Sequence, residues 1–243
     1  MVAKARLGPY LGVDDSFEDD LIMHRDARHP ESCAWVIQDP GFRSWTLFDP
    51  ESPPIYWLVA GMGAGKSIMC SRVIDYLSEQ SEPIRCSYFF IKRGKGEMRN
   101  LSTLFLSIAF QMGLQDAQVR RAITRLQEGG VSWEGQIDKL IWRKLFQEAI
   151  FNVKSPLTHF WVIDGLDEYS GDSDIYQFLE QLPQHVRVFV ASQHTPEIQE
   201  GMLSLGQRVS IRMVDTSHTG EFQLFHYINK ISCKNESNAN QIS

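Results

Sequence analysis

Ala60 to Ser67 reads AGMGAGKS, in which Gly63 and Gly65 lead into a lysine and a hydroxyl, Lys66 and Ser67. The spacing fits the phosphate-loop pattern G-x-x-x-x-G-K-[ST], with Ala60 standing where the first glycine is usual. Such a pattern serves to grip a chain of phosphates. Residues without a Cβ let the backbone N–H groups of Gly61, Met62, Gly63, Ala64 and Gly65 approach phosphate oxygens, and a helix beginning at the lysine adds the positive end of its dipole. Lys66 supplies a point charge for the outer phosphates and Ser67 a hydroxyl for Mg²⁺. These residues predict a site for ATP, or GTP, together with Mg²⁺.

A second constellation lies in HFWVIDGLDEYS, His159 to Ser170. Asp164 directly follows an apolar run, the place from which a carboxylate holds Mg²⁺ near the β- and γ-phosphates. Asp167 and Glu168 come next, where a carboxylate can orient or deprotonate an attacking water. Alone, an acidic strand-to-helix loop is also an ordinary connector. Its pairing with a phosphate loop upstream gives it chemical meaning.

For the two constellations to meet, the chain must form a sheet with helices returning across it. IYWLVA, Ile55 to Ala60, is a nearly unbroken apolar run of strand length, the pattern of a strand covered on both faces. Met69, Cys70, Val73, Ile74 and Leu77 then recur at helical spacing, predicting a helix from about Lys66 to Leu77. Ile84 to Ile91, His159 to Ile163, Val186 to Ala191 and Arg208 to Met213 complete five strands, with helices between them. One long amphipathic helix is marked by Leu101, Leu104, Phe105, Ile108, Ala109 and Met112. Another is marked by Ile137, Leu140, Ile141, Leu145 and Ile150. The fold class is α/β, a mostly parallel sheet covered by helices, with ligands beyond the carboxyl ends of the strands.

The flanks read differently. Asp14, Asp15, Glu18, Asp19 and Asp20 crowd residues 1–22, which read as a flexible, solvated acidic lead-in. Two short helices and a proline-stiffened linker are expected over 23–54, the nucleotide-binding core over 55–232, and a disordered polar tail over 233–243. With 43% hydrophobic and 22% charged residues the composition is that of an ordinary globular protein. Its net charge of −6 gives no general attraction to nucleic acid or anionic lipid, and direct nucleic-acid binding is not expected. No apolar run reads as a signal peptide or membrane span, so a cytoplasmic protein is expected. Four scattered cysteines lack zinc-site spacing and read as reduced structural thiols. Lys92, Arg93, Lys95 and Arg99 read as a solvated turn. Trp35, Trp45 and Trp57 read as core, and no role follows for His159, His185 or His194.

The DGLDE run after HFWVI resembles the acidic motif of NACHT domains, signalling NTPases of the STAND group. HRDARHPESCAWVIQDPGFRSW, SYFFIKRGKGEMRNLSTLFLSIAFQM and VRVFVASQHTPEI resemble the fungal, nephrocystin-like N-terminal branch of that family. The resemblance implies the additional-strand P-loop fold, with strand order 5-1-4-3-2, and an ATP-dependent switch whose open protomers assemble with copies of themselves or other NACHT proteins. It also favours Glu168 over Asp167 as the water-activating residue. In the family the fourth strand ends in Thr-Ser-Arg, the arginine sensing phosphate, whereas here Ala191, Ser192 and Gln193 stand there. Gln193 brings a donor without a positive charge, so hydrolysis is expected to be slow or absent. The sequence stops at the core, without the winged-helix and repeat regions of family members. An adaptor or truncated module that binds nucleotide without turnover is therefore the alternative. A phosphotransferase is disfavoured by DGLDE, and a DNA-directed motor by the acidic balance.

Overall fold

The computed structural model describes residues 2–14, 16–30, 32–47, 51–80, 84–92, 100–169, 174–214 and 224–225. All six residues of β1 (Ile55–Ala60) are buried, as an apolar run with no polar side requires. Ile55, Trp57 and Val59 join one core and Tyr56, Leu58 and Ala60 the other, since alternate side chains leave opposite faces. Around it stand β2 (Ile84–Phe90), β3 (Thr158–Asp164), β4 (Val186–Ser192) and β5 (Val209–Val214). The order is β2-β3-β4-β1-β5, all parallel. The expected order is thus present, with β4 between the strands carrying Ala60 and Asp164. A short β6 (Leu224–Phe225), unforeseen in the sequence, adds antiparallel to β5.

Helices stand before and after β1, and another follows β2. α1 (Val2–Leu11), α2 (Ser16–Asp26), α3 (Ala34–Gln38) and α4 (Pro40–Thr46) come before β1, and α5 (Lys66–Glu79) follows it. α5 buries Met69, Cys70, Val73, Ile74 and Leu77, the face expected from their spacing. Each larger apolar side chain so buried contributes about 2 kcal/mol. α6 (Leu101–Gln115) covers the opposite face of the sheet, its start fixed by Asn100, whose side chain accepts from Thr103 N.

Two expectations need correction. Residues 2–11 and 16–26 are helical rather than a solvated lead-in, and Leu7, Leu11, Phe17 and Leu21 are buried. The acidic cluster is largely a helix start: Asp14 accepts from Ser16 N, and Glu18 and Asp19 sit in the first turn of α2, where the helix dipole favours negative charge. Asp20 pairs with Lys92, and Arg25 and Arg28 both reach Asp75 on α5, at 2.5 Å. The amphipathic stretch over 137–150 is not one α-helix. α8 (Asp138–Ile141) passes into a π-helical stretch, Trp142–Gln147, then a 3-10 turn, Ile150–Asn152. The widened turn accompanies an aromatic cluster in which Trp142 and Phe146 pack on Phe105 and Trp161. Ahead of it α7 (Ala117–Glu128), not foreseen, is capped by Asp116.

α9 (Ile175–Glu180) and α10 (Pro196–Ser204) complete the layers. The tail over 233–243, together with Arg93, Lys95 and Arg99, lies outside the described residues. Among those described, no helix is long and apolar enough to cross a membrane.

Candidate phosphate and magnesium site

β1 ends at Ala60, the chain turns through Gly61–Gly65, and α5 begins at Lys66. Gly63 and Gly65 have φ of 72° and 79°, a left-handed backbone that residues with a Cβ rarely adopt. An added Cβ at either would meet nothing within 4 Å, so these glycines answer to conformation and to whatever approaches the loop. Met62 is 85% exposed, an apolar side chain that the domain's own core does not claim. Ala64 N donates to Gly61 O at 3.3 Å and closes the turn. Lys66 Nζ donates to the Ala60 and Gly61 carbonyls at 3.3 and 3.1 Å, which curls its ammonium back over the loop.

Asp164 is the last residue of β3, held in register between Phe90 of β2 and Ala191 of β4. Gly165 follows at φ 77°, and a Cβ there would come within 2.6 Å of Ile91 O, so the chain can turn away from the sheet only through glycine. This turn aims the carboxylate at α5. Ser67 Oγ donates to Asp164 Oδ2 at 2.5 Å, and Cys70 Sγ donates to Oδ1 at 3.5 Å. Burial pushes the Asp164 carboxyl up to about 6, while the Ser67 and Cys70 donors and the Lys66 charge pull the other way and Asp167 adds to the rise. Burial wins because two neutral donors do not replace the water that a carboxylate loses.

Leu166–Glu168 form a 3-10 turn behind this aspartate. Gln193, just past β4, donates its main-chain N–H to Asp167 Oδ1 at 2.8 Å and its side-chain Nε2 to Oδ2 at 2.7 Å. The acceptor-only carboxylate fixes which way the amide points. Both Asp167 oxygens are engaged, so Asp167 acts as a strut between the acidic turn and β4, and Gln193 gives it one side-chain N–H. Glu168 stands half-buried at the end of the turn. Trp57 Nε1 donates to Ser192 Oγ at 2.9 Å, which ties β1 to the end of β4 beneath the same site.

The fold thus brings the loop, Lys66, Ser67 and Asp164 together at the carboxyl ends of β1 and β3, on either side of β4, with Asp167, Glu168 and Gln193 alongside. Sequence reasoning missed Cys70 as a partner of Asp164 and the Gln193–Asp167 clamp. The first was within reach, because Cys70 lies one helical turn after Ser67 and shares its face. The second depends on β4 lying beside β3, which local pattern does not reveal. Among the described residues no three His, Cys, Asp or Glu side chains converge. A cation at Ser67 and Asp164 would therefore need further oxygens from phosphate and water, the habit of Mg²⁺ at nucleotide sites.

A family model described as nephrocystin 3, N-terminal, matches residues 31–193. Vegetative incompatibility protein HET-E-1 of Podospora anserina is 23% identical over 265 residues, covering 99% of this chain. The chain spans 19% of that relative's length. Among solved structures, Drosophila ORC bound to poly(dA/dT) DNA and Cdc6 overlays with a TM-score of 0.38 and 8% identity, over 85% of this chain and 31% of that one. The cytoplasmic domain of the Thermomonospora curvata type VII secretion ATPase EccC overlays with a TM-score of 0.32 and 13% identity, over 68% and 19%.

Proposed function

Because the chain belongs to the nephrocystin 3 N-terminal family, we propose that it is the nucleotide-binding module of a NACHT-type switch, taking ATP with Mg²⁺. One observation carries the reading: Ser67 Oγ and Asp164 Oδ2 meet at 2.5 Å directly beneath a loop with two left-handed glycines. A buried carboxylate with only a hydroxyl and a thiol as donors retains lone pairs for a cation, so these residues fit Mg²⁺. When bound, Mg²⁺ supplies neutralisation of charge on the outer phosphates.

The chain's own residues have separable tasks. The amides of Gly61 to Gly65 receive phosphate oxygens, and Lys66 exchanges its two carbonyl partners for phosphate. Ser67 and Asp164 hold the cation. Glu168 is the carboxylate for orienting water, since Asp167 is committed to Gln193. The same clamp favours a second reading, a binder with slow or no turnover. A Gln193 amide held by Asp167 offers no positive charge to developing negative charge at phosphate. A switch of this kind works only if ATP and ADP bind its two conformations differently, and its assembly with further copies or related proteins belongs to the same proposal.

Single-turnover phosphate release tests turnover and its assignment together. Glu168→Gln is expected to reduce release by about a hundredfold, the scale of general-base loss, with nucleotide affinity retained. Asp167→Asn is expected to weaken release less. Equal release from wild type and Glu168→Gln would remove the assignment, and no release from either would leave the static binder as the correct reading.

A further inference from the structure

Outside the nucleotide site, α1 and α7 form the walls of a cleft of about 570 Å³. Its lining includes four guanidinium groups, Arg6 of α1 and Arg120, Arg121 and Arg125 of α7, against one carboxylate, Glu128. Composition does not account for this, because the whole chain carries a net charge of −6. Arg6, Arg121 and Arg125 are exposed, and none of the three is ion-paired among the described residues. Arginine cannot relieve such crowding by losing its proton. Their positive charge therefore persists at every physiological pH.

The frame behind these side chains is fixed. An added Cβ on Gly113 of α6 would lie 2.8 Å from Leu7 Cδ1 and 3.2 Å from Ile123 Cδ1, so α1, α6 and α7 meet there at close quarters. Arg120 Nη1 donates to Gly113 O at 3.0 Å, which directs that guanidinium from the junction itself. Asp116 caps the first turn of α7 through Gln118 N and Val119 N. Val119, Ala122 and Ile123 bury the other face of the helix and hold its arginine face outward. The volume falls in the range of small-ligand sites.

We propose that this cleft is a second anion site, taking a small ligand that bears several phosphate groups. Three exposed planar donor forks can match phosphate oxygens bidentately, with Arg120 adding its charge from the junction, and four positive charges against one negative exceed what a single carboxylate or monophosphate would neutralise. A compact ligand fits better than a nucleic-acid strand, because the basic groups line a cleft between two helices rather than a continuous track. The ligand is either a free polyphosphorylated metabolite or the headgroup of a phosphorylated lipid, which present the same chemistry. Neither helix contributes to the phosphate loop, so this site stands or falls separately from the nucleotide site.

The test is calorimetric titration of the full chain with inositol hexakisphosphate, beside Lys66→Ala and the double variant Arg121→Ala/Arg125→Ala. Both arginines are exposed, so the double variant is expected to keep the wild-type melting curve. Wild type and Lys66→Ala are expected to bind alike. The double variant is expected to bind about thirtyfold more weakly, taking roughly the contribution of one basic residue near an anionic surface for each arginine. Co-sedimentation with phosphatidylcholine vesicles containing phosphatidylinositol 4,5-bisphosphate separates the sources: retention there beyond the soluble probe's affinity assigns the headgroup, and soluble binding alone assigns a free ligand. Unchanged affinity in the double variant, loss of binding in Lys66→Ala, failure of both probes to bind, or tighter binding of a duplex DNA would overturn the proposal.

Discussion

Two buried aspartates stand near opposite ends of β3, and the molecule treats them in opposite ways. Asp116, beside the strand's start, accepts from Ser155 Oγ at 2.6 Å and is paired with His159 Nε2 at 3.2 Å, and its other oxygen caps α7. Burial alone would raise its carboxyl, yet the donors from His159, Ser155 and the backbone outweigh burial and hold it well below the usual carboxylate range. Asp164, at the strand's end, accepts among the described residues from the Ser67 hydroxyl and the Cys70 thiol, and burial leaves its carboxyl at about 6. A saturated carboxylate is architecture. One that is buried and left short of partners destabilises the fold while it is charged, and under the proposed function it is the place for a cation.

That contrast can be broken from either end, and Asp116 carries the larger effect. Asp116→Ala is expected to destabilise the protein by about 3 kcal/mol, the scale of breaking a buried charged network, measured by urea unfolding at pH 7. The sign with pH follows from its depressed carboxyl: its stabilisation is complete above the unfolded value of 3.8 and is lost as pH falls further. The variant should therefore lose its deficit at acid pH, and a deficit independent of pH would show that packing, rather than charge, fixes this end.

Asp164→Asn is expected to act in the opposite direction. A carboxyl raised from 3.8 to about 6 costs nothing below the lower value, and its cost grows between the two and is complete above about 6. The full cost corresponds to about 3 kcal/mol. Protein purified without nucleotide should gain about 2 kcal/mol at pH 8 on Asp164→Asn, with no gain at pH 4, while Mg²⁺-dependent nucleotide binding is lost. A variant less stable than wild type at pH 8 would mean that Asp164 is as well satisfied as Asp116.

Smaller again is the effect at the neighbouring strut. Gln193→Leu removes the side-chain donor to Asp167 and retains the main-chain one, and should cost about 1.5 kcal/mol in thermal unfolding. Were Gln193 a phosphate sensor instead, the variant would keep its stability and lose affinity for ATP over ADP.

The carboxyl end of the sheet was legible in sequence because its residues follow one another. AGMGAGKS and HFWVIDGLDE each join an apolar strand to a turn that only certain residues permit, and the order of the strands followed from the family that those motifs resemble. Asp116 was not legible. Its partners, Ser155 and His159, come from β3 and the segment before it, and no local spacing links them to the start of α7. Residues 2–26 misled for a related reason. Their acidic residues dominate the composition, whereas Leu7, Leu11, Phe17 and Leu21 become buried only once α5, α6 and β2 exist to cover them. The stretch over 137–150 carried the right apolar spacing for a helix, but aromatic packing decided the pitch of its middle.

The most direct test of the central claim is calorimetric titration with ATP, ADP and GTP in Mg²⁺, run on wild type beside Lys66→Ala. Saturable binding by wild type, weakened at least about a hundredfold in Lys66→Ala and without Mg²⁺, is the expected result. Binding of equal strength in the two proteins, or none by a folded wild type, would contradict the assignment of this loop and Asp164 to a nucleotide.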